Sequence, residues 1–260
     1  MSIISNIRSI FGAKSKEDNT VPNVNSLDEL HELAKKYLYG DGLNQNVSLA
    51  IIYLEFAAQK GHSESLRTLG ACYSEGVGVE QSFEKAFELY QKAAESGLVD
   101  AYFDLGLCYR RGEGVEMNLE KAKECYQRAI DAGNDNALVN MGVVYELEKN
   151  MDKAEQYYKM AAEAGNADGQ FCYGMQFYNR EDYDKAVPWF EKAAEQEEPD
   201  AQTQLGICYF EGRGVECNPI IGAWYLYAAA DQDWQRAIDL IRENDIPRPT
   251  EEELEKQIRD

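Results

Sequence analysis

Histidine is scarce in this sequence, because His31 and His62 are the only two among 260 residues. Neither belongs to an H-E-x-x-H pair, and no glycine-rich loop ends in G-K-[ST], so the patterns of a zinc hydrolase and of a phosphate-binding loop are both missing. Carboxylates occur throughout the chain and single out no pair. We therefore expect no catalytic residues, no bound cofactor and no metal ion.

Basic residues are also in short supply. The chain has 26 Lys and Arg against 47 Asp and Glu, which gives a formal net charge of −21. This charge repels phosphate backbones and anionic lipid head groups, and it argues against nucleic acid as a partner. We interpret the excess as a solvated acidic exterior rather than as a dedicated recognition surface.

The six cysteines follow no pairing or metal-binding pattern, and no C-x-x-C occurs. Cys72, Cys108 and Cys208 recur at one position of the repeat described below. Neighbouring helices lie roughly 8–10 Å apart, which is beyond the ~7 Å between Cα atoms that a disulfide spans. We expect reduced thiols and a cytoplasmic protein. The chain also lacks a run of about 18 apolar residues, so we expect no transmembrane segment.

Internal repetition is what the sequence has in abundance. Residues 65–97 align with residues 101–133 at an offset of 36, and six copies can be stacked. Three columns define a first helix, helix A: a Leu-like residue, then a small residue, then an aromatic residue three positions later. They are Leu33, Leu69, Leu105, Met141, Tyr173 and Leu205; Ala34, Gly70, Gly106, Gly142, Gly174 and Gly206; and Tyr37, Tyr73, Tyr109, Tyr145, Phe177 and Tyr209. The Leu-like and aromatic residues share one helix face, and the small residue would let a second helix approach closely.

The second helix, helix B, begins at a residue whose side chain can accept from a free backbone N–H. The six predicted N-caps are Asn46, Ser82, Asn118, Asn150, Asp182 and Asn218. A bulky pair follows seven and eight residues later, as in Cys125–Tyr126, and glycine ends four of these helices. Four copies join the two helices through a G-x-G loop, whereas copies four and five lack this loop and shorten the period to 32.

The pattern LGxCYxxGxGV…EKAxxxYxxAAxxG resembles the Sel-one-like repeat (SLR) family, a branch of the tetratricopeptide-repeat (TPR) superfamily. The resemblance covers about residues 27–233. It implies an all-α, right-handed α-solenoid (superhelix) of antiparallel helix pairs, and a role as an adaptor in protein complexes.

The repeats divide the chain into a short amphipathic N-terminal segment with a flexible tether at 1–26, an SLR/TPR-like solenoid at 27–246 and an acidic tail helix at 247–260. Within the solenoid we place repeats at about 27–64, 65–100, 101–136, 137–168, 169–200 and 201–233, and a capping helix at 234–246 that closes the apolar end of the stack. Thr250 and Glu253 match a capping box at the start of the tail helix.

The candidate site lies on helix A, at positions that the packing columns do not require. In TPR-like solenoids helix A lines the concave surface, so positions two before, two after and five after the Leu-like residue should face a partner. We call this set the binding row: Arg67, Phe103, Leu107, Arg110, Val139, Val143, Phe171, Met175, Tyr178, Ile207 and Phe210. It is basic at one end and apolar further along, which suits a peptide or an amphipathic helix. Arg67 and Arg110 would anchor partner carboxylates. The alternative is that tight curvature buries the apolar members against one another.

The N-terminal segment carries an apolar stripe of Ile3, Ile7 and Ile10 with one basic residue, Arg8, and no long apolar core or cleavage signal, so we do not interpret it as a secretory signal. Three roles are open for residues 1–11: docking onto the binding row in the same or a neighbouring molecule, binding another partner, or contact with a membrane surface.

We thus predict a non-catalytic scaffold that binds a protein or peptide. One alternative is a small-molecule binder or hydrolase-like enzyme of the SLR class, because Ser82-Phe-Glu-Lys85 matches the S-x-x-K motif. Ser82 belongs to the N-cap column, however, and Lys85 aligns with Lys121, Lys153 and Lys185, so we interpret the match as coincidental. The other alternative is a membrane-peripheral regulator that uses residues 1–11.

Overall fold

A computed structural model describes residues 24–259, and residues 1–11, for which docking was predicted, lie outside this range. The described residues form 14 α-helices and no strand. The chain divides into two compact units: unit 1 ends at Asn134 and unit 2 begins at Asp135. In unit 1 the helices are α1 Leu27–Tyr39, α2 Val47–Gln59, α3 Ser63–Glu75, α4 Phe83–Glu95, α5 Asp100–Arg111 and α6 Leu119–Asp131. In unit 2 they are α7 Asp135–Leu147, α8 Met151–Glu163, α9 Ala167–Tyr178, α10 Tyr183–Ala194, α11 Pro199–Glu211, α12 Pro219–Ala230, α13 Gln235–Glu243 and α14 Glu251–Arg259.

Odd-numbered helices from α1 to α11 are the predicted A helices, and even-numbered helices from α2 to α12 are the B helices. Successive helices pack against each other from α1 to α6 in unit 1 and from α7 to α13 in unit 2. Short connections between packed helices make such neighbours antiparallel. The fold class is therefore an all-α repeat solenoid, as the repeat columns predicted.

The small-residue column explains how closely the two helices of a repeat pack. A Cβ added to Gly106 would lie 2.4 Å from a ring carbon of Tyr126, and one added to Gly142 would lie 2.5 Å from Tyr158. Real Cβ atoms do not come so close to another carbon, so glycine is needed for the ring to lie over helix A. In repeats 2 to 6 the side chain that lies over the glycine is the second residue of the bulky pair. Tyr126 and Tyr158 are fully buried there.

All six predicted N-cap residues directly precede their helices. The side chains of five of them accept from the backbone N–H three residues later: Asn46, Ser82, Asn118, Asn150 and Asn218. The side chain of Asp182 makes no such capping bond. The Asp182 carboxylate instead lies 2.5 Å from Lys185 Nζ, an ammonium one turn along the same helix.

The G-x-G loops have two distinct uses for glycine. Gly112 ends α5 in the left-handed region, at φ 71°, which glycine adopts without a Cβ clash. Gly114 is also left-handed, and in addition its hydrogen faces the end of helix B of the previous repeat: a Cβ there would lie 2.1 Å from the Phe83 carbonyl oxygen. The loop thus packs against the backbone of α4 and joins repeats 2 and 3.

Repeats 4 and 5 make their short turns without glycine. Lys149 and Glu181 take the left-handed conformation there, at φ 61° and 62°. In repeat 5 the loop contact with the previous helix B is replaced by a bidentate ion pair, in which Arg180 donates to both carboxylate oxygens of Glu155 at 3.2 and 2.5 Å.

The C-terminal segment packs back onto helix B of repeat 6. The hydroxyl of Tyr227 donates to the Ile246 carbonyl at 3.0 Å, and Asn218 Nδ2 donates to Gln257 Oε1 on α14 at 2.6 Å. The predicted capping box is confirmed, since Thr250 and Glu253 exchange side-chain and backbone hydrogen bonds. The tail helix is therefore attached to α12.

Candidate interaction surface

Four members of the binding row belong to unit 1, and all four are half-buried: Arg67, Phe103, Leu107 and Arg110. The ring of Phe103 leans on Tyr126, with centroids 6.2 Å apart. Arg110 Nε donates to the hydroxyl of the same tyrosine at 3.3 Å. Each side chain is thus held on one side by the core of repeat 3 and leaves the other side accessible.

Arg67 is engaged within the molecule. Its Nε donates to Asp104 Oδ2 at 2.5 Å, and its Nη1 lies 3.9 Å from Asp100 Oδ2. Burial raises the pKa of Asp104 above its usual value. Desolvation destabilises the charged carboxylate more than the hydrogen bond and the positive charge of Arg67 stabilise it. Burial alone would lower the pKa of Arg67, but Asp104 raises it. The ion pair joins α3 to α5, so a partner carboxylate would compete with an existing one for Arg67.

Seven members of the binding row belong to unit 2: Val139, Val143, Phe171, Met175, Tyr178, Ile207 and Phe210. Val139 is buried, with 8% of its surface exposed, and the other six are half-buried. The rings of Phe171 and Tyr178 both lean on the buried Phe190, at centroid distances of 5.8 and 6.1 Å. Within unit 2 the predicted row is therefore a partly exposed apolar strip that its own repeats hold in place.

The Ser82–Lys85 pair has a structural role. The hydroxyl of Ser82 accepts from the backbone N–H of Lys85 at 3.3 Å, and Lys85 Nζ lies 4.8 Å from the centroid of the Tyr73 ring. The same cation–π contact recurs for Lys121 over Tyr109, Lys153 over Tyr145 and Lys185 over Phe177, at 5.2, 4.9 and 5.9 Å. These contacts join helix B to helix A in repeats 2 to 5, which gives the lysine column a structural role.

A hydrogen-bonded chain of Asp28, His62 and Ser65 went unnoticed in the sequence. His62 Nε2 lies 2.8 Å from Asp28 Oδ1, and Nδ1 lies 2.8 Å from Ser65 Oγ. The order of groups is that of a hydrolase triad, yet Ser65 is completely buried and no substrate can reach its hydroxyl. His62 instead caps α3, because its side chain accepts from the Ser65 backbone N–H. Histidine is not among the preferred N-cap types, so no capping pattern pointed to it.

All six cysteines are free thiols, and the three in the helix A column lack the features of reactive ones. Cys72, Cys108 and Cys208 are buried. Burial raises the pKa of Cys72 to about 11 and that of Cys108 and Cys208 to about 12, so thiolate is scarce at neutral pH. In the part of the chain that the structure describes, no cluster of His, Cys, Asp and Glu is arranged to hold a metal ion.

Glu198 is the carboxyl whose titration is moved closest to neutrality. It caps α11 by accepting from the backbone N–H groups of Asp200 and Ala201. Burial raises its pKa to about 7 in spite of these bonds.

None of the helices between residues 24 and 259 exceeds 13 residues, which is too short to cross a bilayer.

The family model of the Sel1 repeat matches this chain six times, at residues 30–62, 63–98, 99–134, 136–166, 171–198 and 199–234. These limits agree with the six predicted repeats to within a few residues. No curated protein sequence matches the chain.

Two similar solved structures are Sel1-type proteins. A Sel1 repeat protein from Oxalobacter formigenes is 27% identical with a TM-score of 0.72, over 78% of this chain and 85% of that one. The protein c5321, a protective antigen present in uropathogenic Escherichia coli strains, is 28% identical with a TM-score of 0.70 over 82% of this chain. The match covers 47% of c5321, so this chain spans about half the length of that protein. The immunity protein Pa5087 from Pseudomonas aeruginosa shares the fold, with a TM-score of 0.56 at 20% identity over 84% of this chain and 86% of that one.

Proposed function

Because the chain belongs to the Sel1 repeat family, we propose that it is a non-catalytic scaffold whose binding row holds a peptide or a helix of a partner protein. Helical repeat proteins of this kind commonly present an extended surface to another polypeptide. The observation that carries the proposal is the apolar strip of unit 2, where six of seven row members keep part of their surface exposed although their repeats hold them in place.

The chemistry of this strip favours apolar anchors from the partner. Phe171, Met175 and Ile207 offer aromatic and aliphatic surface without a charged group of their own, and the polarizable thioether of Met175 adapts to different partner side chains. Rigid aromatic side chains already packed against Phe190 would bind a partner at little cost in conformational entropy. We therefore place the main binding energy in unit 2 rather than at Arg67.

A matched pair of methionines tests this assignment. Met175 belongs to the row, whereas Met160 lies on the B helix α8 with 49% of its surface exposed. Peptides that bind the wild-type chain are selected from a displayed library, and their Kd is measured by calorimetry. We expect Met175→Asp to weaken binding at least tenfold and Met160→Asp to leave it unchanged. Binding that survives Met175→Asp and Ile207→Asp, but is lost in Met160→Asp, would place the site on the B helices instead.

We propose that residues 1–11 are one ligand of the row. The support is chemical: the apolar stripe of Ile3, Ile7 and Ile10 matches the apolar character of the row. A chain without residues 1–20 should then bind more of a fluorescent dye that reports exposed apolar surface, and added 1–13 peptide should reverse the increase. An unchanged dye signal, with co-sedimentation of only the full chain with vesicles, would assign the segment to membranes.

We further propose a reducing, cytoplasmic environment, supported by the six free thiols. The absence of catalysis is part of the same proposal. It is supported by Ser65, whose hydroxyl is buried, and by Ser82, whose hydroxyl caps α4. A screen of ester and β-lactam substrates should show no turnover above that of a Ser82→Asn variant, which keeps the cap.

A further inference from the structure

The two histidines of this chain lie together at the junction of repeats 1 and 2. Their ring centroids are 5.5 Å apart. His31 lies on α1 and bonds through Nε2 to Thr68 Oγ1 of α3 at 3.0 Å. His62, which precedes α3, bonds back to Asp28 of α1 at 2.8 Å. Each repeat thus contributes one histidine, and each histidine bonds to a residue of the other repeat.

His62 serves this junction in one protonation state. Its Nδ1 accepts the Ser65 backbone N–H at 3.3 Å, so Nδ1 carries no proton and Nε2–H donates to Asp28. Protonation at Nδ1 would remove the only side-chain cap of α3 and would place a positive charge at the N-terminal end of a helix, where the macrodipole opposes it.

His31 is neutral for a different reason. Only 8% of its surface is exposed, and burial, followed by the proximity of His62, lowers its pKa below the usual 6.5. The charged groups that face the pair are Asp28, Glu32 and Lys35 on α1 and Glu64 on α3. Glu32 and Glu64 favour protonation of His31, while Lys35 and His62 oppose it.

We propose that His31 and His62 form a pH-dependent latch between repeats 1 and 2, closed at neutral pH and opened by acid. Closed, the latch fixes α1 against α3 through the His31–Thr68 and His62–Asp28 bonds. In acid, a proton on His62 Nδ1 would displace the Ser65 N–H that caps α3. A proton on His31 would place a charge in a buried site, 5.5 Å from the second imidazole. The latch lies beside the basic end of the binding row, but the inference stands without the proposed function.

The direction of the effect follows from linkage. A histidine whose folded-state pKa lies below its unfolded value stabilises the fold fully above pH 6.5, and this stabilisation is lost as the pH falls through the folded-state pKa. The expected window for opening is therefore the acid side of pH 6.5. The carboxylates of so acidic a chain also titrate in acid, so the local effect must be compared with helices of the same unit that lack histidine.

Two measurements on the full chain test the latch. With only two histidines in the sequence, ¹³C-labelled histidine gives two ring signals, and the single variants His31→Gln and His62→Asn assign them. Glutamine can still bond to Thr68 without titrating, and asparagine is a preferred N-cap. Backbone hydrogen exchange, corrected for the chemical rate at each pH, reports opening of α1–α3, with α5 and α6 as the internal reference.

We expect the His31 signal to titrate below pH 6.5 and to move to higher pH in His62→Asn. Protection of α1–α3 relative to α5 and α6 should fall at least tenfold between pH 7 and pH 5, and the double variant should lose this dependence. The proposal is overturned if the wild-type His31 signal titrates at or above pH 6.5, or does not move in His62→Asn. It is equally overturned if protection of α1–α3 falls no more than that of α5 and α6, or falls as much in the double variant.

Discussion

The Tyr126 ring lies where a side chain of Gly106 would be, since a Cβ at Gly106 would come within 2.4 Å of its Cε1 atom. We predict that Gly106→Ala destabilises the fold by about 1–3 kcal/mol, because either the buried ring or helix α5 must shift. Repeat 1 suggests a compensating change, since it has Ala34 in the small-residue column and the smaller Leu54 in place of the tyrosine. In a double-mutant cycle followed by urea unfolding, Tyr126→Leu should recover part of the loss caused by Gly106→Ala. Additive losses would contradict the proposed contact.

The second glycine of the G-x-G loop allows a closely controlled comparison. Gly114 and Gly42 have nearly the same φ, 71° and 70°, but a Cβ on Gly114 would clash with the Phe83 carbonyl, whereas one on Gly42 would meet nothing within 4 Å. Gly42→Ala should cost about 1 kcal/mol for the left-handed backbone. Gly114→Ala should cost roughly 2 kcal/mol more, because the loop must leave α4. Equal losses in denaturant unfolding would mean that φ alone requires these glycines.

A glutamine bridge joins repeats 5 and 6. Gln232 Nε2 donates to the Glu197 carbonyl at 3.0 Å and to Gln202 Oε1 at 2.9 Å, and Gln202 is buried. Gln232→Leu leaves the Oε1 atom of the buried Gln202 without the Gln232 Nε2 donor. We therefore predict that the free energy of unfolding falls by about 1–3 kcal/mol. Gln235→Leu is the control, because Gln235 is exposed like Gln232 but bonds only to Asp239 on its own helix. A control variant that costs as much as Gln232→Leu would argue against the bridge.

Glu198 should make stability depend on pH. Because its pKa is raised to about 7 in the folded state, the neutral carboxyl stabilises the fold below the unfolded pKa near 4.5, and this contribution is lost as the pH rises through 7. After allowance for solvent screening of this partly exposed group, about 1 kcal/mol is at stake. Glu198→Gln should therefore gain stability relative to wild type between pH 5 and pH 8 in thermal unfolding. A difference that stays constant across this range would contradict the raised pKa.

Much of the fold could be read from the spacing of residues along the chain. The Leu-like, small and aromatic columns defined every A helix from α1 to α11, and the capping residues located the B helices to within a residue. These features are local, since a helix face, a cap and a left-handed turn each depend on residues fewer than ten positions apart. Because six copies were compared, one that departs from the pattern did not change the assignment. Asp182 is such a case, since its carboxylate pairs with Lys185 and makes no capping bond.

The candidate site could be read only in part. The repeat columns predicted which residues form the binding row and that the row is largely apolar. They did not predict how much of each side chain is exposed. Val139 is buried while Val143, one turn later on the same helix, is half-buried, and the columns treated the two positions alike. Arg67 was predicted as an anchor for a partner, yet it is already paired with Asp104, 37 residues away.

By itself, the sequence determined the number of repeats, the order of the helices and the positions where glycine or a capping side chain is required. Only the tertiary structure decided which polar groups meet: His62 with Asp28, Arg67 with Asp104 and Gln232 with Gln202. The reason is physical. Apolar columns specify that helices pack, whereas the partner of a polar side chain depends on distances of a few tenths of an ångström between helices far apart in the chain, which no spacing along the sequence encodes.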